Sequence, residues 1–293
     1  MKPLREYLSS EALDAHIQRS LDEDLGTGPE AGDHSSQAAL SNDFQGIAQL
    51  KAKQSLVFAG VDVANRVLRA VSPQLSATWY ATDGDRCAPG DVVAEVRGPL
   101  RDLLGAERTL LNYVQRLSGV ATVARSYVDL VSDLPCRILD TRKTTPGWRM
   151  LEKWAVQVGG AQNHRVGLHD MVMLKDNHVD LAGGITEAVR RTERYLHDQN
   201  LVRAVEVECR NLDDVREALA LPRVDRIMLD NFTPEQCREA VALNGGQKEL
   251  EASGGITRET LRRFAETGVD FISVGALTHS APSVDLNFKA QRI

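Results

Sequence analysis

The sequence predicts an α/β protein in two parts, an α+β region followed by a closed α/β barrel. Three observations predict this. From Cys136 onward the pattern is strand, loop, helix, repeated, an alternation that builds parallel βαβ units. The last four expected strand ends, Glu208, Asp230, Ser253 and Val274, are spaced by 22, 23 and 21 residues. Units so regular and compact favour a closed barrel over an open sheet. Residues 1–110 show no such repeat.

In order along the chain, apolar spacing predicts an amphipathic helix over Leu13–Leu25, stopped at Gly26. A polar loop leads to a strand over Gly46–Lys53, and Val63, Val67, Leu68 and Val71 give Gly60–Val71 a helical stripe. Short strands follow at Ser76–Ala81 and Val92–Val96, separated by the Pro89-Gly90-Asp91 turn. Leu103–Val131 reads as a long helix with a break at Ser118-Gly119, the hinge between the two parts. Barrel strands are expected at Cys136–Asp140, Met171–Lys175, Val202–Glu208, Asp225–Asp230, Lys248–Ser253 and Asp270–Gly275. Helices are expected at Met150–Val158, Ile185–Leu196, Leu212–Leu219, Pro234–Leu243 and Arg258–Thr267.

Composition narrows the function. The chain has 293 residues and a formal net charge of −6, which argues against a non-specific nucleic-acid binder. Only 5% of residues are aromatic, so a base-stacking platform is not expected. No apolar run approaches the ~18 residues of a membrane span, and residues 1–16 lack a signal-peptide core. Cys87, Cys136, Cys209 and Cys237 are scattered without a Cys-x-x-Cys, so reduced thiols and a cytoplasmic location are expected. One segment reverses the charge. Arg137–His178 holds seven Lys/Arg against four acids, a local +3, and three of the seven histidines. That suits a small, multiply charged anion.

A barrel gathers chemistry where its strands end. The expected ends carry Asp140, Lys175, Glu208, Asp230, Ser253-Gly254-Gly255 and Gly275. The Asp140–Gly147 loop offers adjacent Arg142 and Lys143, three hydroxyls and a Pro-Gly turn, a fork and a point charge for carboxylate or phosphate. Gly159-Gly160 permits close backbone approach, and His164-Arg165 adds a second cationic pair. His164, Lys175 and His178 lack the spacing of a zinc site. Lys175 serves either as an anion ligand or as an imine-forming nucleophile. Glu208 and Asp230 suit Mg²⁺ or a developing positive charge on a sugar, and Glu206, two residues earlier on one strand face, could share that task. The glycine turns after the last two strands suit a phosphate. No Walker loop, G-x-G-x-x-G, nucleophile elbow or H-E-x-x-H is present. Transfer of a phosphorylated sugar onto an anionic acceptor fits these parts. A Schiff-base lyase using Lys175 and a phosphometabolite-binding regulator are the alternatives.

At these residues the chain resembles the quinolinate phosphoribosyltransferase family, the carboxylating nicotinate-nucleotide pyrophosphorylases. The resemblance runs in order from Glu107 to the end through Glu107-Arg108-Thr109, Leu117–Thr122, DTRKTTPG at 140–147, NHRVGL at 163–168 and LKDNH at 174–178. It continues through VEVE at 205–208, MLDN at 228–231, SGGI at 253–256 and SVGALTH at 273–279. The first hundred residues match more weakly. The resemblance implies an N-terminal open-faced α/β sandwich domain over 1–115 and an incomplete, about seven-stranded α/β barrel over 116–279. It further implies that 280–293 returns to the first domain. The implied reaction joins quinolinate and phosphoribosyl pyrophosphate into nicotinate mononucleotide, with CO₂ and pyrophosphate released, using Mg²⁺. By resemblance Arg142, His164, Arg165 and Lys175 hold the quinolinate carboxylates. Lys143 and Lys175 also meet the phosphoribosyl pyrophosphate, Glu208 and Asp230 lie at the ribose and Mg²⁺, and Thr141 belongs to the substrate-binding set. Ser253, Gly254, Gly255 and Gly275 cradle the 5′-phosphate, and Val274 and Ala276 belong to the substrate-binding set. Lys143, Lys175, Glu208 and Asp230 are the implied catalytic set. Arg108 is expected to enter the site of a neighbouring subunit, in a homodimer or a hexamer of dimers.

Overall fold

The computed structural model describes residues 2–293, and Met1 lies outside them. The chain separates into two compact units. One comprises Met1–Arg125, Met150–Gly160 and Ala281–Ile293, the other Ser126–Arg149 and Ala161–Ser280.

In the first unit, α1 (Ser10–Leu25) starts at Ser9, whose hydroxyl accepts the Ala12 N–H, and buries Leu13, Ile17 and Leu21. A short helix, α2 (His34–Ala39), occupies part of the expected loop because Asp33 caps it through the Ser36 N–H. Then come β1 (Gln45–Ala52), β2 (Leu56–Val57), α3 (Val61–Val71), β3 (Ser76–Trp79), β4 (Arg86–Cys87) and β5 (Val92–Pro99). The C-terminal strand Leu286–Arg292 joins them. The main sheet runs C-terminal strand, β1, β5, β3, with every neighbour antiparallel. The valine and leucine stripe of α3 is buried as its spacing requires.

Two expectations are corrected here. The long helix α4 (Leu100–Val128) is unbroken, so the expected domain boundary at 115/116 falls inside it. Ser118 and Gly119 serve packing. The Ser118 hydroxyl accepts the Ala59 N–H at 2.9 Å and donates to the Ala59 carbonyl at 3.2 Å. Any side chain at Gly119 would strike the Pro282 carbonyl oxygen. The other correction concerns α5 (Arg149–Val158), which the alternation placed among the barrel helices. Residues 150–158 belong to the first unit, where wholly buried Glu152 accepts from the Arg116 Nε at 3.1 Å.

The second unit begins with β6 (Arg137–Leu139). It continues through β7 (Val172–Leu174), α6 (Asp176–Ala182), α7 (Ile185–Asp198), β8 (Val205–Cys209), α8 (Leu212–Leu219) and β9 (Arg226–Asp230). It ends with α9 (Pro234–Asn244), β10 (Glu249–Ser253), α10 (Leu261–Ala265), β11 (Phe271–Ser273) and α11 (Ala276–His279). The strands form one sheet in the order β6-β11-β10-β9-β8-β7, all parallel. A single parallel bridge joins Gln162 to Leu139 on the other edge of β6. Six strands and this one-residue bridge therefore make up the incomplete α/β barrel. Helix α9 carries a full start signal, with Thr233 and Gln236 capping reciprocally and Pro234 in the first turn. Because all six strands run one way, their carboxyl ends share one rim.

Candidate active site

A cavity of about 750 Å³ opens at that rim, lined entirely by residues of the second unit. The loop after β6 supplies Thr141, Arg142 and Lys143, and the segment after Gln162 supplies His164 and Arg165. Lys175 follows β7, Glu208 lies on β8 and Asp230 ends β9. Ser253, Gly254 and Gly255 come from the end of β10, and Val274, Gly275 and Ala276 from the end of β11. Every residue of the implied catalytic and substrate-binding set except Arg108 thus lines one cavity. Arg108 is exposed on α4 in the first unit and does not line it.

Both cationic loops are held by their own hydrogen bonds. Thr278 Oγ1 donates to the Lys143 carbonyl at 2.7 Å, and the Lys143 N–H donates to Thr141 Oγ1 at 3.0 Å. Arg149 reaches both loops. Its Nε donates to Thr144 Oγ1 at 3.1 Å, and another guanidinium N–H donates to the Val166 carbonyl at 3.3 Å. Asp140, expected at the mouth, is instead wholly buried. Its carboxylate accepts the His164 N–H at 2.8 Å and an Asn163 side-chain N–H at 2.7 Å. It fastens the second loop to the first rather than facing a ligand.

The wall is electropositive. Arg142, Lys143, Arg165 and Lys175 face Glu208 and Asp230, four cations against two carboxylates. Burial and the neighbouring Arg142 hold the Arg165 guanidinium below its usual basicity, though still charged. Such crowding of cations costs free energy until an anion enters. Lys175 Nζ donates to Glu208 at 2.8 Å, which suits an anion ligand better than an imine-forming amine. Burial, then the Glu208 charge, raises the Asp230 carboxyl above the usual aspartate range.

The glycine loops are shaped by close contacts. Gly254 has φ 96°, and a side chain there would meet Asn231. Asn231 itself sits in the left-handed region at φ 56°. Its N–H donates to the Ser253 carbonyl at 2.9 Å, and its amide donates to Asp230 at 2.8 Å. At Gly275 a Cβ would lie 3.0 Å from His279 Nε2 and 3.1 Å from Lys143 Cδ. A side chain at Gly275 would press on the His279 ring and the Lys143 stem, which would have to shift by a few tenths of an ångström.

Known proteins resemble this chain over nearly its whole length. Residues 33–118 match the family model described as quinolinate phosphoribosyl transferase, N-terminal domain, and residues 120–289 match that for the C-terminal domain. The chain belongs to the quinolinate phosphoribosyl transferase family. It is 42% identical over 291 residues to the chloroplastic nicotinate-nucleotide pyrophosphorylase [carboxylating] of Arabidopsis thaliana, covering 94% of this chain and 82% of that one. It is 42% identical over 266 residues to the probable nicotinate-nucleotide pyrophosphorylase [carboxylating] of Bacillus subtilis (strain 168), covering 90% and 89%. The crystal structure of NadC from Streptococcus pyogenes superposes with a TM-score of 0.91 at 38% identity, covering 98% of this chain and 99% of that one.

Within this family member several cavity residues lay outside the expected set. Asn231 and His279 line the cavity and stand inside the MLDN and SVGALTH motifs, so their position beside Asp230 and Gly275 was the available signal. Below the rim lies a layer that the sequence did not reveal. Glu206 does not reach the mouth beside Glu208. It is wholly buried, with Oε2 3.0 Å from His164 Nε2. Glu251, also wholly buried, lies 3.3 Å from the same nitrogen and 3.2 Å from the Arg226 guanidinium. Burial pushes the Glu206 carboxyl upward, reinforced by Glu251. On the far side of the imidazole, the Arg165 N–H donates to His164 Nδ1 at 2.6 Å. Burial lowers the His164 pKa, but the hydrogen bonds and charges of Glu206 and Glu251 raise it to about 9. The Arg165 N–H at Nδ1 directs the ring proton to Nε2, between the glutamates.

Proposed function

We propose that this chain transfers the phosphoribosyl group of phosphoribosyl pyrophosphate to quinolinate with decarboxylation. The products are nicotinate mononucleotide, CO₂ and pyrophosphate, and the reaction is a step in NAD biosynthesis. The observation that carries this reading is one cavity holding four fixed cations, two carboxylates and two glycine loops in a chain of this family. Quinolinate brings two carboxylates, which Arg142, Arg165 and Lys175 can neutralise, with His164 packed behind Arg165. Lys143 and Lys175 serve the pyrophosphate, and the Ser253–Gly255 and Val274–Ala276 loops serve the 5′-phosphate. As pyrophosphate leaves, its departing oxygen takes the C1 bonding pair and the ribose becomes oxocarbenium-like. Glu208 and Asp230 stabilise that charge electrostatically. The pyridine nitrogen then bonds to C1. The electron pair of the breaking bond stays on ring C2 as the 2-carboxylate departs as CO₂, stabilised by the adjacent cationic nitrogen, and a proton from solvent then bonds to that carbon.

Magnesium belongs to the same proposal. Glu208 and Asp230 fit it, because both offer oxygen donors at the rim and their mutual charge raises Asp230. They would hold it together with the donor's phosphates, where a bound Mg²⁺ neutralises charge on the leaving pyrophosphate. We assign the working unit to a homodimer, with exposed Arg108 entering the partner's site, and the location to the cytoplasm. Among the described residues no helix is long and apolar enough to cross a membrane.

The test is an assay of the purified chain with quinolinate labelled at the 2-carboxylate, phosphoribosyl pyrophosphate and Mg²⁺. Stoichiometric nicotinate mononucleotide and labelled CO₂ are expected. Turnover of nicotinate without CO₂ release, or a borohydride-trapped adduct at Lys175, would overturn the reading. Full activity in EDTA would remove magnesium from it, and failure of an Arg108→Ala chain to be complemented by a Lys143→Ala chain in exchanging mixtures would remove the shared site.

A further inference from the structure

The cavity wall rests on a buried charged layer with no established task. His164 is clamped from both sides. Its Nε2 lies between Glu206 at 3.0 Å and Glu251 at 3.3 Å, and its Nδ1 accepts the Arg165 N–H at 2.6 Å. Both glutamates are fully buried. They come from different strands, β8 and β10, separated by β9. Glu251 is fixed in turn by Arg226 at 3.2 Å, and Arg226 is fixed by Glu249 at 2.8 Å and by stacking 4.1 Å above the Phe271 ring. A chain of contacts therefore runs from the barrel interior through His164 to the backbone of Arg165, whose side chain lines the cavity. Buried charges of this kind are costly and do not by themselves add stability. Their geometry serves one purpose well, which is to stop the imidazole turning and to set where Arg165 begins.

We propose that Glu206 and Glu251 are positioning residues for the acceptor's carboxylates, acting through His164 to hold Arg165 at the cavity wall. The proposal rests on the phosphoribosyl-transfer reading given above. It is selective. Glu206 touches the His164-Arg165 loop and none of Lys143, Ser253, Gly254 or Gly275, where the donor's phosphates are assigned, whereas Glu251 also bonds Ser273, whose hydroxyl donates to Ser253 Oγ at 3.0 Å. A defect at Glu206 should fall on quinolinate and spare phosphoribosyl pyrophosphate.

The experiment uses the full-length enzyme and isosteric variants. Glu206→Gln and Glu251→Gln should each raise the quinolinate KM about tenfold, the lower end of the loss seen when an outer partner of a ligating histidine is removed. In Glu206→Gln the KM for phosphoribosyl pyrophosphate should stay within about twofold, and calorimetric quinolinate affinity should fall in step. Because the glutamates act through His164, adding Glu206→Gln to His164→Ala should produce no further loss of quinolinate affinity. If a Gln variant does not fold, Glu206→Asp supplies the same test, with partial recovery of quinolinate affinity expected. Unchanged quinolinate binding, equal loss for both substrates, or simple additivity with His164→Ala overturns the proposal. A wild-type chain that does not turn over quinolinate overturns the underlying reading before any variant is compared.

Discussion

Strand β8 carries two glutamates on one face, two residues apart, and their surroundings are opposite. Glu208 lies at the rim, within reach of Lys175 and Asp230 and facing the cavity. Glu206 lies one step deeper, dry, facing His164 and Glu251. Strand β10 repeats the pattern, with Ser253 at the rim and Glu251 below. The strand period of two brings both layers to the same side, so depth alone separates their roles. At the rim Glu208 is only 7% exposed, yet it faces the cavity and a lysine that is itself half exposed, so a charged substrate can reach it. One layer down, a carboxylate must be paired by the protein itself, and its work becomes structural.

Four outcomes would sharpen or break that division. The largest effect is expected in the lower layer. Arg226→Ala leaves Glu251 buried beside Glu206 without its guanidinium and should cost about 3 kcal/mol of stability, measured by denaturant unfolding. A loss well under 1 kcal/mol would show that water reaches this layer. In the rim layer Glu208→Gln should do the reverse. It should lower kcat by about two to three orders of magnitude, the size of effect when a preorganised partner of a developing charge is removed. Its unfolding midpoint should not move, and a matching loss of stability would erase the distinction between layers.

A smaller effect is expected at the border between them. Asn231→Ala places an ordinary side chain at φ 56° and removes the bond to Asp230. It should cost about 1–2 kcal/mol of stability and also lower kcat. Asn231→Gly accepts the backbone and should recover stability without recovering kcat, which separates strain from the lost contact. The smallest effect concerns the thiols. All four cysteines are free and buried, and burial first, then nearby acids, pushes Cys136 and Cys237 up to about 12. A disulfide-exchange reagent should label none in the native enzyme and all four after denaturation. Fast native labelling would mean that the units open more readily than their packing implies.

How much was legible beforehand differs between the layers in the same way. Rim residues announce themselves because they end apolar runs. Lys175 closes Met171–Leu174 and Asp230 closes Ile227–Leu229, so polarity marks the strand end directly. Spacing places Glu206 correctly on the face of Glu208, but the expected share in its task at the mouth fails, because spacing along a strand shows the face and not the depth. Glu251 and Arg226 lie within strands and carry no local signal that they meet in the interior. Asp140 failed for a related reason, since a strand-end carboxylate can serve a neighbouring loop as well as a ligand. The Ser118-Gly119 break failed because only Ala59 and Pro282, both distant in sequence, explain why a hydroxyl and a missing side chain belong mid-helix.

The sequence by itself determined the parallel strand-helix alternation, the polar residues at the strand ends and the electropositive segment that supplies the cavity's cations. These follow from local periodicity and composition, which each residue expresses without its distant neighbours. Tertiary structure decided which unit α5 joins, where the chain divides, and which carboxylates face the cavity and which lie beneath it. Those outcomes depend on burial, and burial is a property of where strands far apart in sequence come to lie side by side.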